Sequence, residues 1–213
     1  MITRVLAVVT AVALTAVALT GCVRPAGPPT TETREISDVT AVVLDTSGDV
    51  EITEGEPSLT IHAPANVLDR LTSEVRGGVL ELGRRGGPMP FVGEIRYELT
   101  VPSLGSIEIN GSGDVTSSAP GDSLTITISG SGDVTVSGAA DTLDIEIDGS
   151  GEVDADDLEV VDATVDISGS GDAELHVTGT LRVDISGSGS VTHRGGAEVD
   201  ADISGSGDVR EDD

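Results

Sequence analysis

Acidic side chains recur at a regular interval in the second half of this chain, each directly after a Gly-Ser-Gly phrase. Six copies of the phrase begin at Gly111, Gly130, Gly149, Gly169, Gly187 and Gly205. The acids that follow them are Asp114, Asp133, Glu152, Asp172 and Asp208, and Ser190 holds the remaining place. Because Ca²⁺ prefers carboxylate and carbonyl oxygens, these five acids are candidate calcium ligands between stacked repeats. The alternative is an Asx-turn, in which each carboxylate accepts hydrogen bonds from backbone amides of its own corner.

Catalytic chemistry has less support in the sequence. Enzymes that cleave polysaccharides gather a pair or a small cluster of carboxylates at one place. Here the acids are spread evenly, and His62, His176 and His193 stand in different repeats without a recognisable nucleophile. The sequence therefore predicts a protein that is not an enzyme and has no cofactor other than the possible calcium. A polysaccharide-active enzyme and a calcium-binding structural protein remain the alternative functions.

The loop between residues 83 and 93 is the one place where basic and bulky apolar residues gather. It holds Arg84, Arg85, Met89 and Phe91. One interpretation is a contact site for a partner. The other is a surface loop that folds Phe91 back onto the core.

The N-terminus has the pattern of a bacterial lipoprotein signal peptide over residues 1–21. Arg4 precedes an apolar stretch that is too short for a stable membrane span, and Leu19-Thr20-Gly21-Cys22 reads as a lipobox. Cys22 is the only cysteine in the chain, so we expect it to carry the lipid and to form no disulfide within the chain. The Pro-rich segment 22–35 is then an extended tether to the outer face of the cytoplasmic membrane.

The elements that position the acidic residues follow from the repeat. Successive copies start 19, 19, 20, 18 and 18 residues apart, and a fixed period of about 20 residues indicates a solenoid. Isoleucine stands two residues before each phrase, as at Ile128 and Ile147, with an aliphatic residue two places earlier. This alternation predicts an all-β parallel β-helix with one buried side chain in every two.

The domain is predicted to span residues 36–213, with irregular coils or a capping unit over 36–105 and regular coils over 106–210. Thr46-Ser47-Gly48-Asp49 is a degraded first copy of the phrase, and residues 64–71 have the composition of a helical turn or two. Counting the strand-like stretches between them gives about nine or ten coils, which corresponds to a length of roughly 45 Å at one strand spacing per coil.

The charge of the chain restricts its partners. With 38 Asp and Glu against 11 Lys and Arg, the formal net charge is −27. Such a surface repels nucleic acid and anionic lipid headgroups. An envelope polysaccharide or a protein is the partner that we expect, beside the membrane that holds the lipid anchor.

The stretches TSGDVEIT, YELTVPSLGSIEINGSGDV and the repeated ISGSGDV resemble the head GIN domain of auto-transporter adhesins. The resemblance runs from Ile36 to Val209. It implies a right-handed parallel β-helix on the cell surface and implies no catalytic residues. Nothing in the sequence looks like an auto-transporter barrel, so the lipid on Cys22 is the expected means of attachment.

Overall fold

The computed structural model describes residues 27–86 and 93–212. Its strands are β1 (Pro29–Arg34), β2 (Ala41–Leu44), β3 (Asp49–Glu54), β4 (Ser58–Pro64), β5 (Leu71–Arg76), β6 (Val79–Arg84), β7 (Arg96–Val101), β8 (Leu104–Ile109), β9 (Val115–Ser117), β10 (Pro120–Gly130), β11 (Val134–Val136), β12 (Gly138–Gly149), β13 (Glu152–Gly169), β14 (Asp172–Gly187), β15 (Ser190–Arg194), β16 (Glu198–Gly205) and β17 (Asp208–Glu211). A single helical turn, α1 (Ala65–Leu68), follows β4. Residues 1–26, 87–92 and 213 lie outside the described part.

The strands wind into a parallel β-solenoid of about six turns, which confirms the predicted fold class. One side, face A, consists of β6, β2, β8, β10, β12, β13, β14 and β16, paired in that order. The next side, face B, consists of β7, β3, β9, β11, β13, β14, β15 and β17. Strands β13 and β14 are long: each begins on face B and ends on face A, so each contributes to both faces. Each Gly-Ser-Gly phrase lies between face A and face B.

Alternation of side chains explains why each coil folds as it does. Ile128 and Ile147 are completely buried, as predicted, and so are Ile126 and Val165 in the neighbouring column. Because equivalent residues pair across adjacent coils, each aliphatic side chain packs on its equivalent one strand spacing away. The interior of the regular coils is therefore mainly a set of aliphatic columns, and the one large aromatic side chain of the core, Tyr97, lies in β7.

The number of coils is smaller than the sequence predicted. Strand β2 pairs on one side with β6 and on the other with β8, so the first coil stacks directly on the coil that begins at Leu104. Strands β6 and β7, which lie between them in the sequence, stack in parallel on β2 and β3, but both also pair antiparallel with other segments. Strands β5 and β6 form an antiparallel hairpin, and β4 pairs antiparallel with both β1 and β7. The prediction of nine or ten coils was wrong because the segment from Ser58 to Val101, together with β1, forms a cap with antiparallel pairing, which was the alternative expected for residues 36–105.

Part of the predicted tether, residues 22–35, is folded onto the domain. Pro29–Arg34 is strand β1, which pairs along its whole length with β4. The Arg34 guanidinium donates to the Ser73 hydroxyl at 3.0 Å and to the Leu71 carbonyl at 3.3 Å. These bonds hold the segment to the cap, so its backbone is part of the folded domain.

Glycine lets the coils approach at the corner. At Gly149 φ is +141°, and a Cβ placed there would lie 2.1 Å from the carbonyl oxygen of Gly130 in the preceding coil. That carbonyl accepts a hydrogen bond of 2.9 Å from the backbone amide of Ser150. Four further serines repeat this bond: Ser131, Ser170, Ser188 and Ser206. The backbone amides of these serines therefore join successive coils at the corner.

The two ends of the solenoid differ. The β1, β4, β5 and β6 segments and α1 cover the first coil, whereas none of the described residues covers the last one. Ile185 is completely buried, but its equivalent in the last coil, Ile203, is 39% exposed. The last coil therefore presents its interior column to solvent.

Candidate interaction surface

The five acids that follow the phrases form one row along face B, which we call the corner row. It runs through Asp114, Asp133, Glu152, Asp172 and Asp208, with Ser190 between the last two. Pairing of Glu152 with Asp172, of Asp172 with Ser190 and of Ser190 with Asp208 fixes the order at one end. The structure thus brings together the residues that the sequence predicted as a site.

The carboxylates of the corner row bind the backbone of the next coil. Asp114 Oδ1 accepts a hydrogen bond from the Asp133 amide at 3.2 Å, and Asp133 Oδ1 accepts one from the Glu152 amide at 3.1 Å. Asp172 Oδ1 accepts from the Ser190 amide at 2.8 Å. The prediction that the carboxylates accept backbone amides is confirmed for Asp114, Asp133 and Asp172, but the predicted Asx-turn is wrong because each amide belongs to the next coil. These bonds offset part of the repulsion between stacked acids.

The corner row extends beyond the residues that the sequence analysis selected. Asp49 in β3 lies beside it and pairs with Arg96 of the cap, whose guanidinium donates to Glu94 at 2.7 Å. Partial removal from water raises the pKa of Asp49, and repulsion from Asp114 and Glu94 adds to that effect while Arg96 opposes it. Asp49 could have been found from its degraded phrase. Arg96 carries no sequence signal, because it stands beside Asp49 only through the pairing of β7 with β3, which are far apart in the sequence.

The surroundings of Glu152 in the corner row disfavour the charged form of its carboxyl. Partial removal from water raises its pKa, and Asp133, Glu174, Asp172 and Asp154 raise it further by repulsion. A carboxyl with a raised pKa in the folded state contributes most to stability when it is protonated, and that contribution is lost as the pH rises through the folded-state pKa. Glu152 therefore weakens the fold at neutral pH.

We accordingly expect the melting temperature to rise when the pH is lowered from 7 toward the usual glutamate pKa of about 4.3. The measurement is calorimetry at constant ionic strength. The Glu152→Gln variant should melt higher than the parent at pH 7 and should show a smaller rise on acidification. Identical pH dependence in the two proteins would contradict this assignment.

Within residues 27–86 and 93–212, no group of three or more His, Asp or Glu side chains is arranged to hold a metal ion. In the corner row, one oxygen of Asp114, of Asp133 and of Asp172 already accepts an amide. Calcium between coils remains an untested hypothesis that competes with these hydrogen bonds.

A thermal melt with millimolar Ca²⁺ against EDTA tests that hypothesis. We expect Ca²⁺ to raise the melting temperature no more than Mg²⁺ does, because screening of the acidic surface needs only a divalent charge. If a calcium site exists, free Ca²⁺ at 100 times its dissociation constant would add about 2.7 kcal/mol to the free energy of unfolding. A shift that is specific to Ca²⁺ and is lost in Asp133→Asn would contradict our expectation and identify the row as a calcium site.

A second acidic row lies on face A, and the sequence analysis missed it. Equivalent outward positions, three residues before each phrase, pair in the order Glu108, Thr127, Glu146, Asp166, Asp184 and Asp202. The last four are consecutive acids, one strand spacing apart. The same alignment that revealed the buried isoleucines contained this signal, since the row occupies the position next to them. We call it the face A row.

Beside the face A row runs a shallow polar groove of about 460 Å³. Hydroxyl and charged side chains line it over four coils: Thr142, Asp162, Thr180 and Glu198 on one side, and Asp144, Thr164, Arg182 and Asp200 on the other. Asp162 Oδ1 accepts from the Thr180 amide at 3.0 Å and from the Thr180 hydroxyl at 2.6 Å. The groove is a repeated pattern across coils and has no unique cluster.

The cap contains a chain of polar contacts that joins residues far apart in sequence. The Thr31 hydroxyl lies 3.1 Å from His62 Nδ1, and His62 Nε2 lies 3.2 Å from Glu98 Oε1. All three border a cavity of about 560 Å³ at the β1–β4 edge. Neither the histidine nor the glutamate side chain is buried, and Thr31 lies on an exposed edge strand. The contacts join three neighbouring strands of the cap.

The other predicted sites are only partly described. Arg84 ends β6, and Arg85 follows it with its guanidinium 3.9 Å from Glu74. The Arg85 amide donates to the Arg70 carbonyl at 2.8 Å, which ties this end of the loop to the cap. Met89, Phe91 and the predicted lipidation site Cys22 lie outside the described residues. No helix among the described residues is long and apolar enough to cross a membrane.

Solved structures share this fold at low sequence identity. A protein of Bacteroides fragilis described as a putative adhesin is 20% identical, with a TM-score of 0.74 over 88% of this chain and 99% of its own. One of Parabacteroides distasonis, described as a putative lipid binding protein, is 22% identical, with a TM-score of 0.59 over 87% of this chain and 97% of its own. One of Parabacteroides merdae, described as a putative adhesin, is 20% identical, with a TM-score of 0.54 over 89% of this chain and 98% of its own.

No curated protein is detectably similar to this chain in sequence. The model of one family does match it, over residues 38–197. That range begins just before β2 and ends between β15 and β16, so it contains the first coil, most of the cap and all the regular coils except the last one. The chain belongs to the family described as "Putative auto-transporter adhesin, head GIN domain".

Proposed function

We propose that this protein is a non-catalytic, lipid-anchored adhesin-like protein of the bacterial surface, and that it binds a polysaccharide or protein through faces A and B. The observation that carries the proposal is the repetition of the same outward chemistry in coil after coil. The corner row and the face A row each place acids one strand spacing apart along a stiff solenoid. Membership of an adhesin family supports the same conclusion.

The geometry suits many weak contacts better than one strong contact. Each exposed acid gains little from a single ion pair, because water screens it. A row of equivalent groups on a rigid support gives the contacts a high effective concentration once the first has formed. A repetitive partner, such as a polysaccharide with amino or hydroxyl groups at regular spacing, would match such rows.

The lipid on Cys22 would fix the orientation of the solenoid. The chain from Cys22 to the start of β1 at Pro29 is seven residues long and therefore spans at most about 25 Å. Since β1 is part of the cap, the capped end would lie toward the membrane and the last coil would point away from it. Both acidic rows would then stand perpendicular to the bilayer and open to the surroundings.

The alternatives differ from this proposal in specific ways. A polysaccharide-active enzyme needs one concentrated cluster of acids, and the closest arrangement in the described residues is the exposed Thr31–His62–Glu98 chain. A calcium-binding structural protein needs metal-dependent stability, which the melt with EDTA measures. Neither has a single observation that favours it over a binding role.

The anchor is tested with the Cys22→Ala variant. In a bacterial host we expect the parent chain in the membrane fraction with an acyl mass on Cys22, and the variant in the soluble fraction. The matched control is Thr20→Ala, which keeps the cysteine. A variant that stays with the membrane, or a parent without lipid, would contradict the anchor.

Binding is tested separately from anchoring. Envelope polysaccharides are presented to the protein in a glycan array, with a turnover assay on the same polymers. We expect binding without cleavage, and we expect it to weaken when Glu146, Asp166 and Asp184 are changed together to Asn or Gln. Cleavage that is abolished by His62→Ala would overturn the proposal in favour of an enzyme.

A further inference from the structure

The last coil exposes positions that are buried in the four preceding coils. Val199 and Ile203 in β16 are 38% and 39% exposed, whereas their equivalents Leu181 and Ile185 in β14 are 1% and 0% exposed. Ala201 between them is also exposed. In β17, Val209 is only partly buried, while Val191 beneath it is completely buried. An aliphatic surface therefore ends the core. We use the name terminal edge for this surface together with the two strands that carry it, β16 and β17.

The terminal edge also carries unused backbone groups. Within the described residues, β16 pairs only with β14 and β17 pairs only with β15. Each other regular coil has a partner on both sides. Natural proteins protect such an edge because its free N–H and C=O groups can pair with another chain. The eight residues of β16 are long enough to bind an extended segment as one more strand.

The charges at the terminal edge restrict what can pair with it. The outward side chains of β16 include Glu198, Asp200 and Asp202, and among the described residues their one ion pair is a distant contact between Asp200 and Arg182, at 3.9 Å. A second copy of this chain would bring the same acids opposite one another, and like charges on paired strands are destabilising. A basic partner would gain from the same positions.

We propose that the terminal edge binds an extended polypeptide segment in which aliphatic and basic residues alternate. The aliphatic side chains cover Val199, Ala201 and Ile203 and so continue the core columns. The basic side chains then lie on the outward face beside Glu198, Asp200 and Asp202. Backbone pairing with β16 supplies the affinity, and the alternation supplies the selectivity. The proposal concerns an end of the solenoid and does not depend on what faces A and B bind.

The test uses the full-length chain in nonionic detergent and a ten-residue peptide that alternates lysine with valine or isoleucine. A second peptide has the same composition, but its lysines are grouped at one end, so it has equal charge and cannot alternate. We expect the alternating peptide to bind at least about tenfold more tightly at physiological salt, since only it can satisfy backbone, core and charge together. Amide hydrogen exchange should slow in β16 and remain unchanged in β12.

Matched variants locate the binding. Val199→Thr with Ile203→Thr should weaken binding of the alternating peptide about tenfold, because less apolar surface is covered. Val161→Thr should leave it unchanged, since Val161 is 48% exposed on the side of the solenoid. Asp202→Asn should weaken it more than Asp166→Asn, which removes an acid from the same row two coils earlier.

Two results would overturn the proposal. One is equal binding of the two peptides, which would reduce the interaction to general attraction by a chain of net charge −27. The other is a dimer in sedimentation without peptide that the Ile203→Thr change abolishes, which would assign the terminal edge to a second copy. All the substitutions lie at exposed positions, so loss of folding does not confuse the outcome.

Discussion

The Ile147→Asp variant is expected to lose the middle coils of the solenoid. Ile147 is completely buried between Ile128 and Ile167 of the adjacent coils. The substitution removes a large aliphatic side chain, at a cost of about 2–5 kcal/mol, and it places an unpaired carboxylate in the core. The sum is comparable with the whole stability of a typical domain, about 5–15 kcal/mol.

The measurement is urea unfolding followed by circular dichroism, with Ile203→Asp as the control. Ile203 occupies the same column in the last coil, but it is 39% exposed, so its carboxylate stays hydrated. We expect the control to unfold within about 1 kcal/mol of the parent. A midpoint for Ile147→Asp that matched the control would show that the columns are not the core.

The second large effect is expected for Gly149→Ala. The positive φ of Gly149 costs an alanine about 1–3 kcal/mol, and the Cβ would lie 2.1 Å from the Gly130 carbonyl oxygen. The coils must separate locally to relieve that contact. Separation lengthens the bond from the Ser150 amide to the same oxygen, which is 2.9 Å in the native protein. We expect a loss on the order of 3–5 kcal/mol in the free energy of unfolding.

Gly77→Ala separates the two causes. Gly77 also has a positive φ, of +60°, but nothing lies within 4 Å of the position where its Cβ would be. This variant should lose only the backbone contribution, about 1–2 kcal/mol. Equal losses at Gly77 and Gly149 would mean that the close approach of the coils contributes nothing.

Local periodicity was enough to predict the regular coils. In that region each strand pairs with the equivalent strand about 20 residues away, so the pattern around Ile128 recurs unchanged at Ile147. The same alignment located the corner row. It also contained the face A row, but those acids have no glycine beside them to mark them. Each stands next to an isoleucine of the core column, three residues before the phrase.

The cap could not be predicted in the same way. Strand β4 has the same alternation as a coil strand, and nothing local distinguishes antiparallel pairing with β1 and β7 from parallel stacking. The number of coils and the folding of Pro29–Arg34 as a strand both depend on pairing between segments that are far apart in the sequence. The contact between Thr31 and His62 depends on that pairing and was equally hidden.

The position of the cap in the chain has a consequence for the order of folding. Every regular coil after Leu104 pairs with residues about 20 places away, but Val42 in the first coil pairs with Ile107, 65 residues later. Closing the longer loop costs more entropy and slows the pairing. As the chain emerges N-terminus first, the first coil cannot complete its second side until the residues of β8 are available. The later coils can then add one at a time onto an edge that is already in place, so we expect the segment 41–117 to set the folding rate of the whole solenoid.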